Sequence, residues 1–416
     1  HGRGAGGGVV SRRPEGVPED FVVYRVEDTL RALGDLARHY RRSLPARVCA
    51  VVGSNGKTTT KELVRAALEP RYRVHATREN LNNLIGVPLT VLAAPRDAEA
   101  PVVEAGTNAP GELDRLGEIL EPDAVIVTAI AEEHLEGLGD LAGVLEEESS
   151  MLRHLTPGGL ALVAPEPSEL VERARELAGR VLVAEEDASL RAEDVRLDDE
   201  GRVSFRWEGV EVGLEFRGRV HARNALYALG LAREWGVDPA AAAAALRTVQ
   251  PFGMRSEVRR YGELTVLVDC YNANPASVEA AVELLGSLPR RGGRVVVVGS
   301  MRELGSASAA LHRRVAERIA TSDVDLVVAT GDFAEAFAGL ESALEGRLIR
   351  VEDPLEAYGP LVRRLGGSET VLLKGSRGVA LERLLPRFEA DFGNDDTGLR
   401  NGAAPRHDAA GAATGE

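Results

Sequence analysis

Lysine is nearly missing from this 416-residue chain: of its 50 basic residues only Lys57, Lys61 and Lys374 are lysines, the rest being arginines. Cysteine is rarer still, and Cys49 and Cys270 lie far apart. Two thiols so separated form neither a disulfide framework nor a metal-ligand spacing, so a reduced, cytoplasmic protein is expected. No apolar run reaches the ~18 residues that suggest a membrane-crossing helix. Positive charge is also in deficit. With 65 acidic residues against 50 basic and a net charge of −15, the chain lacks the broad basic face that nucleic acid or an anionic membrane would require. The expected substrates are small molecules whose phosphates and carboxylates meet local positive pockets, and a monomer is expected. The first residue is His1, and the Gly/Arg-rich stretch 1–13 has no apolar signal-peptide core, so the chain is expected to begin inside a longer reading frame.

The few lysines mark the chemistry. Lys57 lies in Gly53-Ser54-Asn55-Gly56-Lys57-Thr58-Thr59-Thr60 and Lys374 in Lys374-Gly375-Ser376-Arg377. An ammonium on a flexible stem can follow phosphate oxygens in a tight loop, where a planar guanidinium would need a fixed fork. A β-branched run, 48–52, precedes the first loop and a helical pattern, 58–68, follows it. Strand, glycine loop and helix make a phosphate cradle. Backbone N–H groups and the helix N-terminus attract the anion, Lys57 reaches the β/γ-phosphates, and the Thr58 hydroxyl can hold Mg²⁺. Val51 stands where the full Walker pattern has its first glycine, so the loop is a variant. Lys61, on the helix that follows, is expected to be a solvated surface lysine.

The chain length suits two or three domains. Residues 1–45 hold one short strand (21–24) and an amphipathic helix (26–40). From 46 to 250 apolar strands at 48–52, 102–104, 124–128, 160–164 and 181–184 alternate with helices, which predicts a parallel sheet. The alternating stretch 195–220 predicts an antiparallel meander appended to that sheet. Helices are expected at 222–235 and 239–249. A second βα alternation, with strands at 264–269, 294–299, 324–330, 348–352 and 370–373, occupies 251–392. The tail 393–416, rich in Gly, Ala and Asp, is expected to be disordered. The fold class is therefore α/β, with a central P-loop ATPase-like parallel-sheet domain and a C-terminal Rossmann-like α/β domain, joined around 250–253. The cleft between them is the natural place for catalysis.

Further motifs join the phosphate loop. Asn80, Asn82 and Asn83 give three amides in four positions, suited to orienting a polar substrate or to capping a turn. Glu104 ends an apolar strand, where a carboxylate beside a phosphate loop suits Mg²⁺; the alternative is a surface acid at a strand edge. His134 follows the strand 124–128 and is either a ligand or structural. In the second half Asp269-Cys270-Tyr271-Asn272-Ala273-Asn274-Pro275 closes a strand and opens a helix with proline in its first turn. Asp269 could take a ribose hydroxyl, and Asn272 and Asn274 could anchor a loop. Arg255 lies at the domain junction, from which it could reach a γ-phosphate on closure.

GSNGKTTTKE (53–62), NLNNLIGVPLT (80–90), HLEGLG (134–139), YNANP (271–275) and KGSRG (374–378) together resemble the Mur ligase family, over roughly residues 20–390. The second and fourth motifs resemble its dipeptide-adding branch. That resemblance implies a cell-wall precursor ligase that uses ATP and Mg²⁺ to join D-alanyl-D-alanine to a UDP-N-acetylmuramoyl-tripeptide through an acyl phosphate. It implies nucleotide contacts from Gly53, Ser54, Asn55, Gly56, Lys57, Thr58, Thr59, Asn224, Arg255 and Asp269, with Asn224 near the adenine. Metal ligands would be Thr58, Glu104, His134 and Glu148, and the catalytic set Lys57, Glu104, His134 and Glu148. Substrate contacts would come from Asn80, Asn82, Asn83, Tyr271, Asn272, Asn274, Lys374, Ser376 and Arg377.

Three departures from the family pattern stand out. Residues 1–45 look like the last third of the domain that holds the uridine diphosphate. Where the family shows Gly-Asp-Met-x-Glu-Leu-Gly this chain reads Gly299-Ser300-Met301-Arg302-Glu303-Leu304-Gly305, one acid fewer, with a small effect expected because that loop need not touch the reacting atoms. Glu148 falls where the family places a carbamylated lysine, and would supply its carboxylate without modification; the alternative is that Glu146-Glu147-Glu148 is a solvated acidic run on a helix 141–155. Two other functions compete with the dipeptide ligase: another ATP-dependent amino-acid amide ligase of the folylpolyglutamate synthase kind, and an inactive nucleotide-binding relative.

Overall fold

The computed structural model describes residues 6–13, 15–16 and 21–393; the tail expected to be disordered lies, beyond Gly393, outside the described residues. A two-stranded parallel ribbon of β1 (Gly7–Val10) and β2 (Val22–Arg25) precedes the helix Thr29–Ser43. Two six-stranded sheets follow. The first is built from β3 (Cys49–Val52), β4 (Val74–Ala76), β5 (Ala100–Glu104), β6 (Ala124–Val127), β7 (Leu160–Val163) and β8 (Arg180–Val183). Its order is β4-β5-β3-β6-β7-β8, and every pairing is parallel.

The strand sequences explain why both faces are covered. All four residues of β3 are buried, and because successive side chains point to opposite faces, Cys49 and Val51 join one core while Ala50 and Val52 join the other. The first core packs beneath the helices Lys57–Leu68 and Val220–Glu234, and the second beneath Glu112–Leu120 with Ala37 of Thr29–Ser43. The meander, β9 (Glu193–Leu197), β10 (Arg202–Trp207) and β11 (Val210–Arg217), forms a separate three-stranded sheet. It was expected to extend the parallel sheet. Its inward Val203, Phe205, Trp207, Val212, Leu214 and Phe216 pack into the first core instead, so it attaches through side chains rather than through a shared hydrogen-bond ladder.

The second large sheet comprises β12 (Glu257–Tyr261), β13 (Leu264–Asp269), β14 (Arg294–Val298), β15 (Leu326–Thr330), β16 (Leu348–Val351) and β17 (Thr370–Lys374), in the order β12-β13-β17-β14-β15-β16. Only the β12–β13 pair is antiparallel. Sequence patterning misses β4 and β12, both edge strands; β4 has three residues and β12 exposes Arg259 and Arg260, leaving little apolar signal. Both sheets direct strand C-termini at one cleft. The phosphate loop leaves β3 where the chain turns to opposite sides of the sheet, the position at which open α/β sheets bind ligands.

Candidate active site

The loop after β3 is held from behind. Gly53 has φ +117°, and a Cβ there would lie 2.4 Å from Thr128 Oγ1, so only glycine fits so close to the end of β6. Ser54 Oγ donates to the Ala131 carbonyl at 3.2 Å and accepts the Ala131 N–H at 2.9 Å, while Ser54 N–H donates to Ala129 O at 2.8 Å. The helix Lys57–Leu68 starts at Gly56, whose φ of +85° and close neighbour Asn224 Oδ1 again require glycine. Asn224, implied to lie near the adenine, therefore abuts the phosphate loop itself.

Lys57 Nζ donates to Gly53 O at 2.6 Å and lies 3.4 Å from Glu133 Oε1. Burial works against its charge, but Glu133, Glu148 and Glu104 outweigh burial and raise its pKa above the ordinary lysine value. Lys57 thus stays an ammonium at the edge of the cleft. Lys61, expected on the surface, is only 2 % exposed and donates to Thr77 O at 2.9 Å, with Glu62 as its counter-ion. The helix turns that position inward, and the long stem fills the core edge while the head finds an acceptor.

Glu104, the last residue of β5, is 2 % exposed, which excludes the surface-acid alternative. Its Oε1 accepts from Thr58 Oγ1 at 3.2 Å and from Asn82 Nδ2 at 2.9 Å, while Oε2 is buried without a partner. An orphaned carboxylate oxygen beside a threonine hydroxyl and a phosphate loop is chemically suited to Mg²⁺, which takes one or two protein oxygens and completes its shell with phosphate and water. Among the described residues no group of three or more His, Cys, Asp or Glu is gathered closely enough to hold a metal. Asn80 and Asn83 both line the cleft, and Asn83 Oδ1 also accepts the N–H groups of Ile85 and Gly86 at 3.1 and 2.9 Å, closing the turn before the next helix.

The acidic run on the helix Leu141–Ser150 divides three ways. Glu146 meets Arg153 and Arg173 at the surface. Glu147, 5 % exposed, accepts from Thr107 Oγ1 and from the N–H groups of Gly111 and Leu113. Glu148, 1 % exposed, accepts the Gly53 N–H at 2.6 Å. The solvated-run alternative is overturned, because helical spacing carries consecutive residues to different faces. The helix stops at Ser150 and a 3₁₀ turn, Met151–His154, completes the expected 141–155 span. Burial pushes the Glu148 carboxyl up to about 7; Lys57 and the Gly53 N–H pull it down, and Glu133 pushes it further up.

His134 sits at φ +51° with its Nδ1 against Glu303 of the second domain. The Glu136 N–H donates to Glu303 O at 3.1 Å. The 299–305 loop thus touches a candidate catalytic residue. Sequence reasoning missed Glu303 and Glu133; the signal for both was adjacency, Glu133 to His134 and Glu303 within the departing motif.

The second sheet supplies the opposite wall. Asp269 and Lys374 are register partners at the ends of β13 and β17, and Lys374 Nζ lies 3.6 Å from Asp269 Oδ2 and donates to Asn272 O. Burial lowers the Lys374 pKa, Arg255 lowers it further, and Asp269 opposes both. Tyr271 carries Arg255 over its ring at 4.3 Å and Arg377 at 5.6 Å. Ser376 Oγ accepts the Arg302 N–H at 3.0 Å. Asn274 caps the helix Pro275–Ser287 with a full capping box, and its amide exchanges hydrogen bonds with Asn55 of the phosphate loop at 3.0 and 3.3 Å. The walls enclose a cleft of about 1330 Å³. Of the expected residues only Gly53, Glu148, Asn274 and Ser376 do not line it.

The pattern of the Mur ligase middle domain matches residues 51–232, and that of the Mur ligase, glutamate ligase domain, residues 254–377. The UDP-N-acetylmuramoyl-tripeptide–D-alanyl-D-alanine ligase of Bacillus subtilis is 33 % identical over 374 residues, which cover 88 % of this chain and 81 % of that protein. The chain belongs to the Mur ligase family. The ligase of the same name from Escherichia coli is 32 % identical over 396 residues, 92 % of this chain and 85 % of the relative. Among solved Mur ligases, MurF from Acinetobacter baumannii superposes with a TM-score of 0.84 at 29 % identity, covering 92 % of this chain and 84 % of that one. MurF from Thermotoga maritima in complex with ADP gives 0.79 at 26 %, covering 92 % and 88 %. Folylpolyglutamate synthase from Mycobacterium tuberculosis, at 18 % identity and a TM-score of 0.67, shares the fold. Among the described residues no helix is long and apolar enough to cross a membrane.

Proposed function

We propose that this Mur ligase uses ATP to join D-alanyl-D-alanine to a UDP-N-acetylmuramoyl-tripeptide, in the cytoplasm and with Mg²⁺. The observation that carries the reading is the cleft, with a phosphate loop on one wall and Lys374, Arg255 and Arg377 on the other. ATP phosphorylates the tripeptide carboxylate, the dipeptide amine attacks the acyl phosphate, and the tetrahedral intermediate expels phosphate. Lys57 and the loop N–H groups meet the charge on the transferring phosphoryl group. Thr58 and Glu104 would hold Mg²⁺, which neutralises phosphate charge when bound. Arg377 and Lys374 offer positive charge to the carboxylate of the incoming dipeptide, Arg255 offers it to the nucleotide phosphates, and Asp269 accepts from a ribose hydroxyl. Asn82 and Asn80 face the tripeptide side. Residues 1–45, outside both matched domain patterns, are assigned to the end of a domain that holds the uridine nucleotide. In place of a carbamylated lysine the chain has Glu148, so its activity should be independent of added bicarbonate.

The test is phosphate release from ATP and product formation, with and without each substrate. Release that requires both the UDP-muramoyl tripeptide and D-alanyl-D-alanine supports the reading. Release driven by another amino acid, or none with any acceptor, overturns it.

A further inference from the structure

The contact between His134 and Glu303 crosses the domain boundary, and much of the surrounding structure serves to make it. His134 has φ +51° and Glu303 φ +65°, a left-handed backbone that non-glycine residues rarely adopt and that costs of order 1–3 kcal/mol unless the surroundings impose it. Two strained residues facing each other from separate domains have a common cause if the contact between their side chains is the feature being kept.

The loop that carries Glu303 is fixed at several points. The Met301 N–H donates to His312 Nε2 at 2.9 Å, and His312 Nδ1 faces Ser308 O at 2.8 Å, which sets the tautomer of that buried ring. Ser376 Oγ accepts the Arg302 N–H, and Ser376 N–H donates to Ser300 O at 3.1 Å. Glu303 O then accepts the Glu136 N–H. Gly305 has φ +54°, and a Cβ there would lie 3.1 Å from Glu136 Cα. Leu135 and Leu138 pack with Met301 and Leu304 in one core. From the backbone so held, the half-exposed Glu303 carboxylate meets His134 Nδ1.

We infer that Glu303 is the positioning residue of His134: it accepts the Nδ1 proton, fixes the ring, and leaves Nε2 to the cleft. Because donor and acceptor belong to different domains, His134 is oriented only when the domains are together. A carboxylate against Nδ1 holds the proton on that nitrogen and fixes the plane of the ring, so that Nε2 is the nitrogen presented to the cleft. This inference rests on the assignment of the cleft as the ligase site, but its central claim concerns a ring orientation that can be observed without turnover.

The experiment uses the full chain in two arms, the first with ADP and D-alanyl-D-alanine present to bring the domains together, the second under turnover with ATP. In the first, nitrogen-15 NMR of the histidine rings should report His134 protonated on Nδ1 in the wild type, with the resonance assigned by its absence in His134→Gln. Glu303→Ala should lose that signature, and Glu303→Gln should keep it in part, since the amide carbonyl can still accept. In the second, Glu303→Ala should lower kcat about 10–100-fold, the usual cost of removing a group that orients a ligand, with the KM for ATP changed less than threefold. In the His134→Gln background the same substitution should cost less than threefold. A wild-type His134 protonated on Nε2 and not on Nδ1, or a full loss from Glu303→Ala in the His134→Gln background, overturns the inference. A wild type that makes no ligase product overturns the assigned reaction instead, and the ring spectrum still decides the role of Glu303.

Discussion

Three buried carboxylates, Glu104, Glu133 and Glu148, surround one lysine, and their opposition sets the character of the phosphate loop. Lys57 is held as a cation by all three. Replacing it with alanine should remove nearly all turnover, on the order of 3–4 kcal/mol of transition-state stabilisation; near-normal turnover in a folded Lys57→Ala protein would refute the assignment. Glu148 bears the cost of the arrangement, since burial raises its pKa from 4.5 to about 7. The group is neutral in both folded and unfolded chains below about pH 4.5. Between that value and 7 only the unfolded chain ionises it freely, so this contribution to stability is present at low pH and lost as pH rises through the folded value. By the same linkage the loss amounts to roughly 3 kcal/mol at most. Glu148→Gln, which keeps an acceptor for the Gly53 N–H, should therefore match wild type in denaturant midpoint at pH 4 and exceed it at pH 8 without Mg²⁺ or nucleotide. Equal midpoints at both would show that Glu148 is solvated or permanently paired.

At the scale of elements, the sequence was readable where a pattern has one physical meaning. Apolar runs such as 48–52 and 294–299 carry β3 and β14 because strands covered on both faces need no alternation, and Pro275 after Asn274 marks a helix start. It was less readable where the meaning depends on rotation about an axis: Lys61, Glu147 and Glu148 look like polar helix surface, yet the faces they occupy are buried, and only Glu146 of the acidic run stays at the surface. Contacts between domains had no local signal at all. Asn274 illustrates the difference, since its capping role follows from Asn-Pro while its pairing with Asn55, 219 residues away, does not. Removing it should cost about 1–2 kcal/mol, that of a lost N-cap, and the pairing adds a term that a double-mutant cycle can isolate. Asn274→Ala and Asn55→Ala should couple by about 0.5 kcal/mol or more in ADP affinity. Strict additivity would reduce the amide exchange to an incidental contact.

For the whole molecule the question is what holds the two sheets around one cleft. The charged contacts across the boundary are exposed: Arg314 reaches Glu132 at 2.9 Å and Arg260 reaches Glu200 at 2.8 Å. Pairs of this kind contribute ~0–1 kcal/mol and are screened by salt. The apolar contact of Leu135 and Leu138 with Met301 and Leu304 adds a small patch. Against this the linking segment near Phe252 and Gly253 is short, and Gly253 has φ +64° with open space around it, a place where backbone angles can change. Closure held so lightly should be completed by the ligands that bridge the walls. Small-angle scattering should therefore give a larger radius of gyration for the ligand-free chain than for the chain saturated with nucleotide and acceptor, and the difference should widen as salt removes the exposed ion pairs. Glu303→Ala should leave the ligand-free value unchanged within error, because its strained contact forms only after the domains meet. A ligand-free radius already equal to the saturated one, at low and high salt alike, would mean that the closed arrangement is the resting state and that substrates enter without domain motion.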